Sequence, residues 1–190
     1  MASKLFENQK FNKVNFEETL LEKGEYENCQ FDNCIFSNIF LSEIQFIDCS
    51  FMDCNLSLLK FSNTGLRNVS FKDCKLMGLQ FEHCADFLFE VSFNNCQLNM
   101  SSFFRKPLKK AIFLNCNLEQ VDFSETDLNG AQFIECNLLN ATFDNTILEN
   151  TDFRKAYNYS IDPEKNYIKK AKFSRSGIAG LLDKYQIEIE

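Results

Sequence analysis

Nine cysteines, one histidine and an excess of carboxylates are the groups in this sequence able to carry chemistry. The cysteines are Cys29, Cys34, Cys49, Cys54, Cys74, Cys84, Cys96, Cys116 and Cys136. Cys29 with Cys34, and Cys49 with Cys54, look superficially like metal-ligand pairs. Zinc sites favour shorter spacings and usually recruit histidine, and His83 is the single histidine. Cys34, Cys54 and Cys74 are evenly spaced, as are Cys96, Cys116 and Cys136, so a repeat places them rather than a metal. A free thiol is also a small hydrophobe that suits a packed interior. Disulfides are not expected, because stacked equivalent positions lie a strand spacing of roughly 4.8 Å apart in a ladder of fixed geometry. No metal or cofactor is expected. With no glycine-rich phosphate loop and acids placed by the repeat, no enzyme is expected either. Thiols in this number, and no apolar run in Met-Ala-Ser-Lys-Leu-Phe-Glu-Asn, give the expectation of a reducing, cytoplasmic setting without membrane insertion.

The elements that position these groups follow from a period of five. From Phe6 to Phe81 every fifth residue is Phe, Leu or Tyr. The register then slips by two residues, and from Leu88 to Phe153 Leu and Phe alternate at the same step. Neither a helix nor a half-buried strand has this period. A second period explains it: Phe11, Phe31, Phe51 and Phe71, then Phe93, Phe113, Phe133, Phe153 and Phe173, mark a return every four steps. Four five-residue sides per turn make a four-sided solenoid with large side chains laddered on its axis. Each cysteine lies two positions before a central residue, counting Cys84 in the register before the slip. That slot is elsewhere Ala, Val or Thr.

The unit small–polar–Leu/Phe–polar–variable resembles the pentapeptide-repeat family over roughly residues 6–175. Examples are Ala-Gln-Phe-Ile-Glu (131–135), Ala-Thr-Phe-Asp-Asn (141–145) and Thr-Asp-Leu-Asn-Gly (126–130). The resemblance implies an all-β fold, a right-handed quadrilateral β-helix, with residues 1–160 as the solenoid and 161–190 as a C-terminal cap containing a short helix. In layout the chain is most similar to the Qnr quinolone-resistance and microcin immunity type. The shared signs are Ser160-Ile161-Asp162-Pro163-Glu164 followed by Phe173-Ser174-Arg175-Ser176-Gly177-Ile178. That likeness implies a DNA mimic that binds DNA gyrase or topoisomerase IV and protects it from a quinolone or peptide toxin. The alternative is an acidic interaction scaffold for another partner.

The surface charge is read independently. The net charge of −7 disfavours nonspecific binding to nucleic acid. Residues 24–59 and 111–153 contain no Lys or Arg. The second stretch holds Glu119, Asp122, Glu125 and Asp127, which must point outward and are the expected partner-binding acids. Two readings stay open: a mimic of the phosphate backbone, or solvation and turn chemistry. Asp48, Asp53, Asp73 and Glu135 share a corner slot with Asn33, Asn95 and Asn115, which favours the second.

Two irregular segments, 83–90 and 104–110, fall one turn apart. Together they are expected to form a bump carrying Phe87, Phe89 and Phe104 with Arg105 and Lys106, either a partner contact or a β-bulge covering its own backbone. Lys106 occupies a small buried slot, which is costly unless the backbone moves outward. Toward the end, Ser174 or Ser176 can cap a helix running to about Tyr185, with a short strand at Ile187 and Ile189. Ile178, Leu181, Leu182 and Tyr185 exceed what a cap needs, so a homodimer through them is expected.

Overall fold

Each five-residue side is built the same way, and the reason lies in its corner. The second residue after most central positions has positive φ: +52° at Asn33, +52° at Asp53, +55° at Asp73 and +53° at Asn95. Asn and Asp tolerate this left-handed conformation, and among the described residues none of the non-glycine residues adopting it is β-branched or aromatic. Where a side turns tightly, the small residue closes the turn. Ser101 N–H donates to the Leu98 carbonyl at 3.1 Å, with φ of +59° at Met100, as in a type II turn.

Repetition of this unit gives a right-handed parallel β-solenoid of about eight turns, with residues 4–188 described by the computed structural model. One side is an eight-stranded parallel sheet, from Lys10–Asn12 through Gln30–Asp32, Ser50–Met52, Val69–Lys72, Val91–Asn94, Ile112–Leu114 and Gln132–Asn137 to Asp152–Tyr157. Its register is straight as far as Gln132–Asn137: Phe31 pairs with Phe51, Phe71 with Phe93 and Phe113 with Phe133. It shifts in the last pair, where Ile134 faces Lys155. The Phe rings of this column stack from Phe11 to Phe173, with centroids 4.7 Å apart at Phe11–Phe31, 5.3 Å at Phe93–Phe113 and 5.4 Å at Phe153–Phe173. They meet the adjacent column edge-on, as Phe113 meets Phe103 and Phe123.

The small slot has a second role that explains its preference for Cys and Thr over Ala. Thr126 Oγ1 donates to the Phe103 carbonyl of the turn below at 2.7 Å, and Thr151 to that of Leu128 at 2.8 Å. Cys49 and Cys136 make the weaker thiol version to Tyr26 and Phe113, at 3.2 and 3.3 Å. All nine cysteines are free and buried.

The irregular places differ from expectation by one residue. At the slip, Leu88 does not point inward: it is exposed with φ of +57°, and Phe89 fills the interior, edge-on to Phe81 at 6.4 Å. Near the end, the five-residue step from Phe153 would put Asn158 in a central place, but Asn158 turns outward at φ +59°, and Tyr159 takes the inward place against Phe153 and Phe173. In both cases the larger ring takes the buried place and its neighbour absorbs the corner.

The terminal helix is realised as two 3₁₀ turns, Ile178–Leu181 and Asp183–Tyr185. Two close approaches hold this segment onto the last coil. A Cβ on Gly177 would lie 2.1 Å from Tyr159 Oη, and one on Gly180 2.1 Å from the Tyr159 carbonyl oxygen. Ile161 N–H donates to the Gly180 carbonyl at 2.9 Å. Lys184 ties the cap down by ion pairs to Asp162 and Glu164, 2.7 Å each. Ser174 Oγ accepts the Gly177 N–H at 3.0 Å and closes the turn before Ile178, whose 3₁₀ turn has Gly177 at its N-cap and no side-chain capping bond. Ile187 is in no strand, and Ile189 lies outside the described residues.

Candidate partner-binding surfaces

The four acids expected to meet a partner lie on adjacent sides of the body, over less than half a turn. Glu119 is half-buried and accepts from Asn99 Nδ2 at 3.4 Å. Asp122 and Asp127 are half-buried and accept from the backbone N–H groups of Ser124 and Asn129, at 2.8 and 3.1 Å, so each also shapes its own turn. Glu125 is exposed and pairs with Arg105 at 2.7 Å, and Asp127 pairs with Lys109 at 3.2 Å. Cations of the 104–110 segment thus sit one turn from two of these carboxylates and reduce their field. Among the corner acids, Asp48, Asp53, Asp73 and Glu135 all have positive φ, which ties them to turn geometry as well as charge.

The bump divides into an outward and an inward half. Phe87 is 83% exposed and forms its tip. Phe104 is half-buried beneath the Arg105 guanidinium, 4.6 Å from its ring centroid. Phe89 and Lys106, expected outside, are inside, with exposures of 6% and 1%. The backbone at Lys106 does not move outward: its N–H donates to the Phe103 carbonyl at 2.9 Å, as in every other tight side. The cost of burying the ammonium is met by partners instead. Nζ donates to the Cys84 carbonyl at 2.5 Å and to Asp86 Oδ1 at 2.6 Å, and it lies 5.0 Å from the Phe89 ring centroid. Asp86 keeps its side chain 76% exposed, so the pair spans interior and solvent. Lys106 therefore fastens the 84–90 segment to the body from within. Sequence reasoning brought the two segments together but missed this bond, since an inward Lys cannot be told from an outward one by composition.

At the C-terminal end, Ile178 and Tyr185 are exposed, Leu182 is half-buried and Leu181 packs against the core. Two of the four expected dimer residues thus face outward, and Leu181 packs onto the ladder.

Burial pushes the Cys49 thiol up to about 12 and raises those of Cys29, Cys34 and Cys84. His83 is exposed in a shallow groove with Phe40, Leu58 and Lys60. Lys184 beside them holds the Asp162 and Glu164 carboxyls below their ordinary values, and Arg154 does the same to Asp152. No helix is long and apolar enough to cross a membrane among the described residues.

A family model described as a pentapeptide repeat region matches residues 24–103 and 85–158. No curated protein matches the sequence. Among solved structures, a trypsin-treated form of QnrB1, a plasmid-mediated fluoroquinolone resistance protein, is similar over 98% of this chain and 100% of its own. Its identity is 18% and its TM-score 0.50. Full-length QnrB1 aligns over 97% of this chain and 100% of its own at 18% identity, with a TM-score of 0.47. HetL, a pentapeptide repeat protein involved in heterocyst differentiation regulation from Nostoc sp. strain PCC 7120, aligns over 88% of this chain and 86% of its own. That match has 13% identity and a TM-score of 0.41. At such identities the likeness is one of fold.

Proposed function

The chain belongs to the pentapeptide-repeat family, and on that premise we propose that it binds DNA gyrase or topoisomerase IV as a mimic of duplex DNA and protects the enzyme from a poison such as a quinolone or peptide toxin. The observation that carries this reading is the pair of stretches without a cation, 24–59 and 111–153, on a rigid rod. At one strand spacing per turn the rod is roughly 40 Å long. A basic surface built to hold phosphates would attract such a rod by the same charges. The fold likeness to QnrB1, a fluoroquinolone resistance protein, supports it. A supercoiling assay with and without a gyrase poison tests it. Micromolar protein should inhibit supercoiling or rescue it from the poison, and neither effect would leave the reading without support.

A second reading, an acidic scaffold for another partner, is favoured by one observation. Glu125 and Asp127 are partly neutralised by Arg105 and Lys109, and the corner acids serve turn geometry. Recovery of a different partner under conditions where gyrase is not retained would decide for it.

The exposed Ile178 and Tyr185 support association with a second copy through the cap. The basic residues around the last turn would then approach their own copies. Dimerisation should therefore strengthen with salt, whereas topoisomerase binding should weaken. Light scattering that reports a monomer at tens of micromolar in high salt rules out the dimer.

A further inference from the structure

The final turn reverses the charge of the rod. From Arg154 to Arg175 the chain has Arg154, Lys155, Lys165, Lys169, Lys170, Lys172 and Arg175 against Asp162 and Glu164, which is 7 − 2 = +5. The rest of the chain then carries −7 − 5 = −12. Both acids are already engaged by Lys184, and Arg154 by Asp152. Lys155, Lys165, Lys169, Lys170, Lys172 and Arg175 make no ion pair among the described residues.

The register fixes where these cations lie. Tyr167 sits above Ile147 on one side, and Lys172 above Asp152 on the next. Lys165 marks the corner before the first side, where its carbonyl receives the Asn145 N–H. Lys170, at positive φ, marks the corner between the sides with Lys169 before it, and Arg175 follows the second side, twenty residues after Lys155. The corner of Lys170 continues down the rod as Asn150, Gly130 and Lys110, a column without an acid. The nearest acids are Asp162 and Glu164, inside the band and engaged by Lys184, with Asp144, Glu149 and Asp152 one turn below Glu164, Lys169 and Lys172.

We propose that this band is a contact for the phosphate backbone of duplex DNA. Unpaired cations spread over two sides of one turn are an electrostatic footprint for phosphates. Tyr167, 60% exposed between Lys165 and Lys169, adds a hydroxyl able to bond a phosphate oxygen. The net charge argued against nucleic acid, but the Debye length is about 8 Å at physiological salt, so acids two or more turns away are screened and local charge decides. The placement favours a duplex over an anionic membrane. The cations lie on the flank of the rod, whereas its end, which would meet a flat surface, carries the cap with Lys184 neutralised by Asp162 and Glu164.

Fluorescence anisotropy of a labelled duplex with the full-length chain tests this, with no topoisomerase present, so that its failure and that of the topoisomerase reading are separate results. Binding is expected in the micromolar range at about 50 mM salt, with a log–log salt slope of about −4 for some five phosphates. Lys169→Glu with Lys170→Glu and Lys172→Glu should weaken it about tenfold or more and flatten the slope by about three. The corresponding Gln variants, which add no repulsion toward Glu149 and Asp152 beyond lost charge, should weaken it in the same order. A control reversal of Lys10, Lys13 and Lys60 should leave it nearly unchanged. No binding at tens of micromolar, equal loss from both sets of reversals, or binding to vesicles of anionic lipid without binding to the duplex would each overturn the proposal.

Discussion

Phe113 lies between Phe93 and Phe133, at centroid distances of 5.3 and 5.0 Å, and meets Phe103 and Phe123 edge-on. It has no exposed surface, and the rungs above and below are fixed by backbone ladders that cannot close in. Phe113→Ala should therefore cost about 3–5 kcal/mol, a transfer loss plus an uncollapsed cavity. Denaturant unfolding measures it, and an unchanged midpoint would mean that the ring does not fill the axis. The corner residues obey a different demand. Asn and Asp hold positive φ at low cost, and their amides also bridge turns, as Asn95 Nδ2 donates to Asp73 Oδ1 at 2.6 Å. Such a position selects a small polar side chain before it selects a charge, which is why acidity in these slots alone is weak support for mimicry.

The 84–90 segment is held by one bond pattern from the 104–110 segment. Lys106→Met keeps the length of the side chain but removes the bonds to the Cys84 carbonyl and Asp86. Because Asp86 is exposed and rehydrates, global stability should change by about 1 kcal/mol or less, while the segment loosens. Hydrogen exchange at Glu90, whose N–H donates to the Leu66 carbonyl at 2.9 Å, should speed up relative to the regular sides. Unchanged exchange there would show that Lys106 does not fasten the segment. The regular sides were legible in the sequence because one inward position in five is filled by a large apolar residue from Phe6 onward. The slip was legible as a place but not as a conformation. Leu88 and Phe89 are both apolar, and a two-residue insertion can put either one inside. The cap showed the opposite problem: Ile178, Leu181, Leu182 and Tyr185 have helical spacing, but contact of Gly177 and Gly180 with Tyr159 selects short 3₁₀ turns, and that contact depends on a ring one residue out of register. Of the expected partner surface, the acids lie where the repeat puts them, whereas Phe89 and Lys106 do not reach it.

The rod is an acidic body with a basic last turn and a cap tied on by Lys184. Its carboxylate partners Asp162 and Glu164 have pKa values lowered by that ammonium, so their contribution is present above the ordinary carboxylate range and is lost as the pH falls through their depressed values. The cap should detach below about pH 4 before the ladder unfolds. The Tyr185 ring resonances would then move to free-chain positions while core resonances persist, and joint loss of both signals would mean that the cap is not a separate unit. Above that range the body keeps its net negative charge, and the central claim is that this charge competes with DNA for one basic surface. Displacement of a labelled duplex from gyrase measures that competition most directly when every protein compared carries Lys169→Glu, Lys170→Glu and Lys172→Glu, so that the protein does not itself hold the duplex. With its acids wild-type the chain should then displace the duplex at micromolar concentration, with an effect that fades as salt rises. Glu119→Lys with Asp122→Lys, Glu125→Lys and Asp127→Lys should leave the duplex bound while circular dichroism still reports a folded rod. Displacement by that variant equal to that of the chain with its acids wild-type, or none by either protein, would contradict the claim.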